Sequence, residues 1–354
     1  MNRHIYPNAS DGLDFLLFVC KQEQKGEKMN WFILTLSCII LWGLTDVLYK
    51  ATFYKNDPLS YYKSFVWLGI VMALAGFIMS TWSDTLLDSL KVIREEVFYL
   101  VPLCLIYAIA WFFGLLGNKH LEASVVAPVE NIGGAMTTII IYFYYLFTGY
   151  IHPAYKIGVV DIIATVLIII GVILIGRQEQ ALMRQEAKLN EYKKKHRFGA
   201  LALIFPIVYA LIDVFSIVEI SGVNADSGIV TEGAETVIPA IDFFVFECAG
   251  FVLVAFCIWL YMLIVKKYIY NPFQEEELIR CGAATGETVG TMTFILAASI
   301  NPVFTAPVTS LYCLVTIAVA RIFLKERLTK KQFISLAFLI AGIILFGIAG
   351  IFNV

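Results

Sequence analysis

Apolar runs of about 20 residues recur along the whole chain, and they constrain its fold more than any other feature. A helix of about 20 residues crosses the hydrocarbon core of a bilayer, and it satisfies its own backbone hydrogen bonds there. The chain is 60% hydrophobic, whereas a soluble domain is typically about half apolar. We therefore expect an all-α membrane protein that crosses the bilayer many times.

The apolar pattern predicts ten transmembrane helices, five on either side of one long charged stretch. They cover roughly residues 30–50, 60–80, 96–117, 123–147, 153–176, 198–220, 239–265, 279–299, 302–324 and 331–351. The predicted organisation is a polar N-terminal tail (1–28), a first five-helix repeat (29–176), a charged linker (177–197) and a second five-helix repeat (198–354).

The two halves share three sequence features in the same order. They are Trp42-Gly43-Leu44-Thr45-Asp46 and Tyr209-Ala210-Leu211-Ile212-Asp213, then Ala127-Pro128-Val129 and Ala306-Pro307-Val308, then Gly171–Gly176 and Gly342–Gly347. An odd number of spans in each half inserts the second half upside down relative to the first. The pattern therefore predicts an inverted repeat, which is typical of transporters whose site lies between the halves.

Basic residues predict the orientation of the chain in the membrane. On the ten-span prediction, 19 Lys and Arg residues fall on one side and 7 on the other. The positive-inside rule assigns the richer side, with linker 177–197, to the cytoplasm and both termini to the outside. We expect a multi-pass protein of the cell membrane, surrounded by lipid.

Several of these segments resemble the drug/metabolite transporter superfamily of EamA-like ten-span carriers. The resemblance rests on Trp42-Gly43, on Ala123–Pro128, and on the last two spans with Pro302–Pro307, Arg321–Leu328 and Gly342–Gly347. It extends over nearly everything from Met29 onward. It implies two inverted five-helix repeats around a central cavity, and a carrier of metabolites, amino acids, sugars or drugs that is often coupled to protons.

The chain departs from the family pattern in two places. Residues 148–153 of the first half lack the Lys-Glu-Arg hairpin that the second half carries at 325–327, and the loop 221–238 is long. These departures leave the substrate class open.

Carboxyl groups inside predicted spans are the first functional candidates, because burying one in a bilayer costs a few kcal/mol. Asp46, Glu130, Asp213, Glu247 and Glu287 lie well within spans, while Asp161 and Asp242 lie nearer the ends, where water can reach them. The scarcity of basic partners at matching depth indicates either a proton pathway or a cationic substrate. A carboxyl group removed from water takes up a proton more readily, so it can exchange protons for ligand near neutral pH.

Helical spacing groups the first of these acids with aromatic residues. Asp46 shares a helix face with Trp42 and Tyr49, and Tyr209, Asp213 and Ser216 repeat that spacing. We interpret the two faces as walls of a cavity. The alternative is that Asp46 pairs with Lys50 and anchors the end of its helix.

Glu130 is the best single candidate for proton coupling. It follows Pro128, which can bend the helix and expose backbone oxygens, and Asn131 comes next. The equivalent residues after Pro307 are Thr309 and Ser310. The alternative is a structural, protonated Glu130 satisfied by Asn131 or by a neighbouring helix.

Two further features of the spans have both a functional and a packing interpretation. Glu287 lies between Gly286 and Gly290, and glycines at this spacing let helices pack closely but do not explain the glutamate. Trp42, Tyr107, Trp111 and Tyr312 could stack on a planar or cationic substrate, although core packing explains any one of them.

The sequence thus predicts a secondary active transporter that moves a small organic metabolite or drug by alternating access, with proton coupling. The predicted substrate- or proton-binding residues are Glu130, Asp46, Asp213, Glu287, Trp42, Tyr209, Asn131 and Thr309, with Pro128 and Pro307 as helix kinks. The alternatives are an uncoupled facilitator or exchanger, and an intramembrane lipid-processing protein. Substrate, direction of transport and oligomeric state stay open.

Enzymatic and nucleic-acid functions are not expected. The chain has no phosphate-binding loop, no HExxH and no Gly-x-Ser-x-Gly motif. Its seven cysteines form no CxxC pair, so no metal or other cofactor is predicted. No basic stripe with interleaved aromatics suggests nucleic acid as a partner.

Overall fold

The computed structural model describes residues 9–53, 57–95, 97–133, 159–186, 199–223, 239–272, 277–300, 302–326 and 328–352, and every regular element in them is helical. The helices are α1 (Ala9–Phe53), α2 (Ser60–Trp82), α3 (Leu86–Glu95), α4 (Val97–His120), α5 (Ala123–Glu130), α6 (Val159–Glu186), α7 (Ile204–Val223), α8 (Ala240–Ile264), α9 (Leu278–Ile300), α10 (Pro302–Thr309), α11 (Tyr312–Val319) and α12 (Lys330–Phe352). A 3₁₀ turn, Gly199–Leu203, precedes α7, and a π-helical turn, Ala320–Leu324, follows α11.

Three helical segments of the described chain are long and apolar enough to cross a bilayer. They are Trp31–Phe53 of α1, α2 and α8. Large apolar side chains such as Phe77 and Ile264 are more than half exposed on these helices. Contiguous apolar surface of this kind marks a membrane or an interface, so the fold is that of an α-helical protein suited to a membrane.

Some boundaries differ from the sequence-based prediction. Helix α1 begins at Ala9 and includes much of the predicted polar tail, and α6 continues to Glu186, into the predicted linker. The predicted span 302–324 is interrupted by a turn at Ser310 and Leu311. The hairpin region 148–153, the second part of linker 177–197, and most of loop 221–238 lie outside the described residues, as do the side chains of Asp161, Ser216 and Pro307.

The main helix contacts join the first half of the chain to the second. Helix α1 packs along α9 and α11, α2 along α8 and α9, α4 along α7 and α8, and α6 along α12. Each pair combines a helix before residue 187 with one after residue 198. The two halves therefore share one interior.

Two glycines set the close approach of α6 and α12. A Cβ atom on Gly171 would lie 2.8 Å from the Cβ of Leu339, and one on Gly342 would lie 2.6 Å from Cγ1 of Ile168. Leu339 precedes Gly342 by three residues, and Ile168 precedes Gly171 by three. Exchanging α6 with α12 therefore converts the Gly171–Leu339 contact into the Gly342–Ile168 contact.

Glu326 joins the halves at the start of α5. Its carboxylate accepts hydrogen bonds from the backbone N–H groups of Ala123 and Ser124, both at 3.1 Å, and from the Ser124 hydroxyl at 2.6 Å. The first N–H groups of a helix lack partners within the helix, and a negative charge there is favourable. A residue of the second half therefore caps a helix of the first.

Lys50 provides the complementary contact at the end of α4. Its ammonium donates to the backbone oxygens of Asn118, at 2.6 Å, and of Leu121. Carbonyl groups at a helix C-terminus lack intrahelical partners and carry partial negative charge, so a buried lysine is well placed there.

Asp242 corrects one sequence-based expectation. Its position near a span end predicts contact with water, but the side chain is fully buried. The carboxylate accepts hydrogen bonds from the hydroxyls of Ser83, Thr85 at 2.7 Å, and Ser89 at 2.5 Å. Asp242 instead ties the first turn of α8 to the connection between α2 and α3 and to α3 itself. These hydroxyls are too far away in sequence for local spacing to reveal them.

An ionic cluster closes the region where α2 and α9 begin. Lys63 contacts Asp57 at 2.8 Å, and Arg280 lies 3.9 Å from Asp57 and 2.7 Å from Glu277. Burial acts to raise the pKa of Asp57, but hydrogen bonds from Lys63 and the Leu59 amide, with the charges of Lys63 and Arg280, hold it below its usual range. These contacts favour ionised Asp57.

We expect Glu326→Gln to destabilise the protein by about 1–2 kcal/mol, because a charged acceptor at the α5 N-terminus becomes a neutral one. Thermal unfolding of the purified protein in detergent measures the effect. Asp88→Asn, which neutralises an exposed acid of α3, serves as the control and should change the midpoint little. Equal effects of the two substitutions would contradict the capping role.

Asp57 predicts an acid-dependent loss of stability. A carboxyl group whose folded-state pKa is lowered contributes stability above its unfolded-state pKa of about 4, and this contribution disappears as pH falls through the folded-state pKa. We expect Asp57→Asn to cost about 0.5–1 kcal/mol at pH 7, since the site is partly exposed, and much less at pH 3. Thermal midpoints at both pH values test this, and equal losses would refute it.

Candidate functional site

Two adjoining cavities lie between the halves, one of about 30 Å³ and one of about 20 Å³. We call them the central cavity and the adjoining cavity, and they share Trp42, Glu130, Tyr209 and Tyr312. Each volume is about that occupied by one water molecule. Helices must therefore separate before a metabolite can bind here.

The lining is polar and aromatic. The central cavity is lined by Trp42, Tyr107, Glu130, Asn131, Tyr209, Asp213, Glu247, Thr291, Phe294, Ala306, Thr309, Ser310 and Tyr312. The adjoining cavity is lined by Trp42, Asp46, Tyr49, Trp111, Gly114, Leu115, Asn118, Glu130, Tyr209, Glu287 and Tyr312.

The eight residues predicted to bind substrate or protons come together here. Glu130, Trp42 and Tyr209 line both cavities, Asn131, Asp213 and Thr309 line the central one, and Asp46 and Glu287 line the adjoining one. The four aromatic residues singled out for stacking, Trp42, Tyr107, Trp111 and Tyr312, also line these cavities. Their roles in binding stay predictions, but their convergence is a fact of the fold.

Five carboxyl groups from five helices line the two cavities. Asp46 comes from α1, Glu130 from α5, Asp213 from α7, Glu247 from α8 and Glu287 from α9. Glu130 lies within electrostatic reach of Asp46, Glu287 and Asp213, and Glu247 within reach of Asp213. Among the described residues that line the cavities, none is a Lys, Arg or His. Ionised carboxylates this close repel one another, so the site favours protons or a positively charged ligand.

Among the described residues, hydrogen-bond donors are found for two of the five carboxyl groups. Thr316 Oγ1 of α11 donates to Asp46 Oδ2 at 3.0 Å, and Trp111 Nε1 donates to Glu287 Oε1 at 3.0 Å. Lys50, the alternative partner for Asp46, directs its ammonium to backbone oxygens at the end of α4. Asp46 thus connects α1 to α11 through a neutral hydroxyl.

Other buried polar atoms of the central cavity have no hydrogen-bond partner among the described residues. They are Glu130 Oε1, Glu247 Oε2, Trp42 Nε1 and Thr291 Oγ1. Asn131, the alternative partner for Glu130, donates its amide to the Ala127 carbonyl at 2.7 Å. An unsatisfied buried polar atom costs about 1–3 kcal/mol, so four in one cavity favour a ligand that can pair with them.

The chain turns shortly after each of the two predicted kinks. Helix α5 contains Pro128 and gives way to a turn at Asn131, and α10 contains Pro307 and gives way to a turn at Ser310. Ser310 donates to the Ala306 carbonyl at 2.9 Å, as Asn131 does to Ala127. Matched turns therefore bring a polar pair from each half to the central cavity.

An aromatic group forms one wall of the central cavity. The ring of Trp42 lies 5.3 Å from that of Phe294 and 5.6 Å from that of Tyr312. Gly290 makes this packing possible, since a Cβ atom there would lie 2.5 Å from Cδ1 of Trp42. The glycines around Glu287 thus have a packing role, while the glutamate itself faces the adjoining cavity.

Sequence reasoning gave too little weight to some lining residues. Glu247 has no recognisable motif around it, and Thr291, Phe294 and Asn118 were not singled out. Helical spacing could have indicated two of them, because Thr291 lies four residues and Phe294 seven residues after Glu287. Among the described residues, no group of three or more His, Cys, Asp and Glu side chains could hold a metal ion.

Comparison with known proteins assigns the chain to no family. No protein-family model matches the chain, and no curated protein is significantly similar to it.

Proposed function

We propose that the chain is a secondary active transporter that moves a small organic solute across the cell membrane by alternating access, coupled to protons. The observation that carries this proposal is the set of five carboxyl groups, contributed by helices of both halves, that line the two adjoining cavities. Intramembrane carboxyl groups are costly, and they commonly mark ion and substrate pathways. A structural core would not need them.

The proposed architecture is ten spans in two inverted five-helix repeats, with α1, α2, α4, α5 and α6 matched to α7, α8, α9, α10–α11 and α12. The helix contacts support this scheme. Exchanging the repeats converts the α1–α9 contact into α4–α7 and the α2–α9 contact into α4–α8, and it leaves α2–α8 and α6–α12 unchanged. The paired contacts of Gly171 and Gly342 obey the same exchange. Inverted repeats are what alternating access uses.

Polar contacts at two ends of the helix bundle would act as gates. Three sets of contacts belong to the side that we propose is cytoplasmic, together with linker 177–197. They are the contact of Glu326 with the start of α5, that of Lys50 with the end of α4, and the Asp57 cluster. The hydroxyl contacts of Asp242 belong to the opposite side, which would also hold both termini. Opening toward one side requires breaking one set of contacts while the other persists.

Glu130 is proposed as the coupling residue. It lines both cavities, and one of its oxygens has no partner among the described residues. Asp46 and Glu287 each have a neutral donor, which lowers the cost of their burial. Protonation of Glu130, assisted by Asp46 or Asp213, would let the empty carrier change conformation, and deprotonation would favour the solute.

An uncoupled facilitator or exchanger is the second candidate. The donors to Asp46 and Glu287 favour it, because satisfied acids can be structural. The two functions differ in their response to a pH gradient.

Transport in proteoliposomes tests the proposal. We expect uptake of a solute found among amines, amino acids, sugars and nucleosides to rise with an imposed pH gradient. The triple variant Glu130→Gln, Asp46→Asn, Asp213→Asn should lose this gradient-driven uptake, because amide side chains cannot take up and release the coupled proton. Asp88→Asn, an exposed acid paired with Lys91, is the control. Retention of gradient-driven uptake by the triple variant would exclude proton coupling through these acids, and a flat pH response of the wild type would favour the facilitator.

Glu130→Gln alone should separate function from stability. The substitution keeps the shape but removes a costly buried acid, so we expect lost coupling together with an unchanged or higher thermal midpoint at pH 8. Thermal unfolding in detergent, alongside transport, measures both. A large drop in midpoint with intact coupling would show that Glu130 is structural instead.

A further inference from the structure

The chemistry of the central cavity narrows the solute to one class. We propose that the site binds the ammonium group of a primary or secondary organic amine. This inference rests on the proposed transport function and adds the nature of the cargo.

Two of the four polar atoms of the central cavity that lack a partner among the described residues are carboxyl oxygens. Glu130 and Glu247 are 5% and 3% exposed, and Oε1 of the first and Oε2 of the second have no donor among the described residues. A ligand that pairs with either oxygen must bring an N–H or O–H donor, and positive charge makes such a bond about twice as strong. An anionic ligand would add to the repulsion among the five acids.

The aromatic wall provides a second, independent feature suited to a cation. Trp42, Phe294 and Tyr312 form a continuous group of rings beside these acids. A cation over an aromatic face gains about 0.5–2 kcal/mol, most with tryptophan. The same rings offer apolar contact for the carbon skeleton of an organic amine.

The need for N–H donors excludes quaternary ammonium as the preferred ligand. A trimethylated nitrogen keeps its charge but has no hydrogen to donate, so it cannot pair with either of these carboxylate oxygens. Charge and donors together indicate –NH₃⁺ or –NH₂⁺–.

Protons compete with such a ligand for the same oxygens. Among the described residues, the titratable groups that line the two cavities are the five acids and the hydroxyls of Tyr49, Tyr107, Tyr209 and Tyr312. An amine that neutralises the acids replaces protons there, so amine binding should weaken as pH falls. Exchange of protons for amine is the coupling that this predicts.

The test uses the purified full chain in detergent at pH 8. n-Butylamine and phenethylamine are each compared with their N,N,N-trimethyl analogues and with 1-butanol and phenethyl alcohol, by thermal shift and tryptophan fluorescence. We expect at least one amine to bind, and its trimethyl and alcohol analogues to bind at least about 10-fold more weakly, as expected for a lost charge-assisted hydrogen bond. Glu130→Gln and Glu247→Gln should each weaken amine binding about 10-fold or more, while Asp88→Asn should leave it unchanged.

Each outcome decides the matter. No response to either amine, or trimethyl or alcohol analogues that bind as tightly as the amine, would overturn the inference. Gradient-driven uptake of a neutral sugar with no amine binding would overturn it and leave the proposed transporter intact. Amine binding without solute-dependent proton movement would instead support the binding site and overturn the proposed coupling.

Discussion

The burial of five carboxyl groups between the two halves is the constraint on which the rest of the structure depends. Each would be ionised in water, and each loses hydration where α1, α5, α7, α8 and α9 meet. Two gain a neutral donor, Thr316 for Asp46 and Trp111 for Glu287. Glu130 and Glu247 each keep an oxygen without a described partner. Natural proteins retain such unfavourable groups where function needs them, so the acids are the strongest sign of function in this site.

Polar contacts at the helix ends hold the helices together around this unfavourable interior. Glu326 caps α5, Lys50 binds the end of α4, and Asp242 gathers three hydroxyls, all across long sequence separations. Each contact satisfies backbone or side-chain groups that would be costly to leave unpaired in a membrane. Glu326 and Asp242 line neither cavity and their carboxylates are paired with donors, whereas Glu130 and Glu247 in the central cavity each keep an oxygen with no partner among the described residues. Contacts at the helix ends thus stabilise the fold, while the centre is left available for a ligand.

Local spacing in the sequence groups residues that line the two cavities, but it does not reveal the long-range contacts. Trp42 and Asp46 lie on one helix turn, a spacing that Tyr209 and Asp213 repeat, and these four side chains line one or both of the adjoining cavities. Nothing local predicts that Glu326 reaches Ser124, or that Asp242 is buried by Ser83 and its neighbours, because these partners are set by tertiary packing. The sequence around Glu247 gives no sign of its place in the cavity for the same reason. Packing of other helices brings it near Asp213, which is distant in sequence.

The two residues after the prolines show where the matched halves differ chemically. Glu130 and Thr309 occupy equivalent places in the repeated motif, and both line the central cavity. Thr309 donates its hydroxyl to the carbonyls of Thr305 and Ala306 in its own helix, at 2.8 and 3.0 Å, so its hydrogen is already used. Glu130 has an oxygen that neither its own helix nor the described neighbours satisfy. In the transporter that we propose, a repeated architecture combined with one unmatched acid would give a pathway that opens to either side around Glu130. A positively charged solute and a proton would compete for its carboxylate, and this competition would couple their movements.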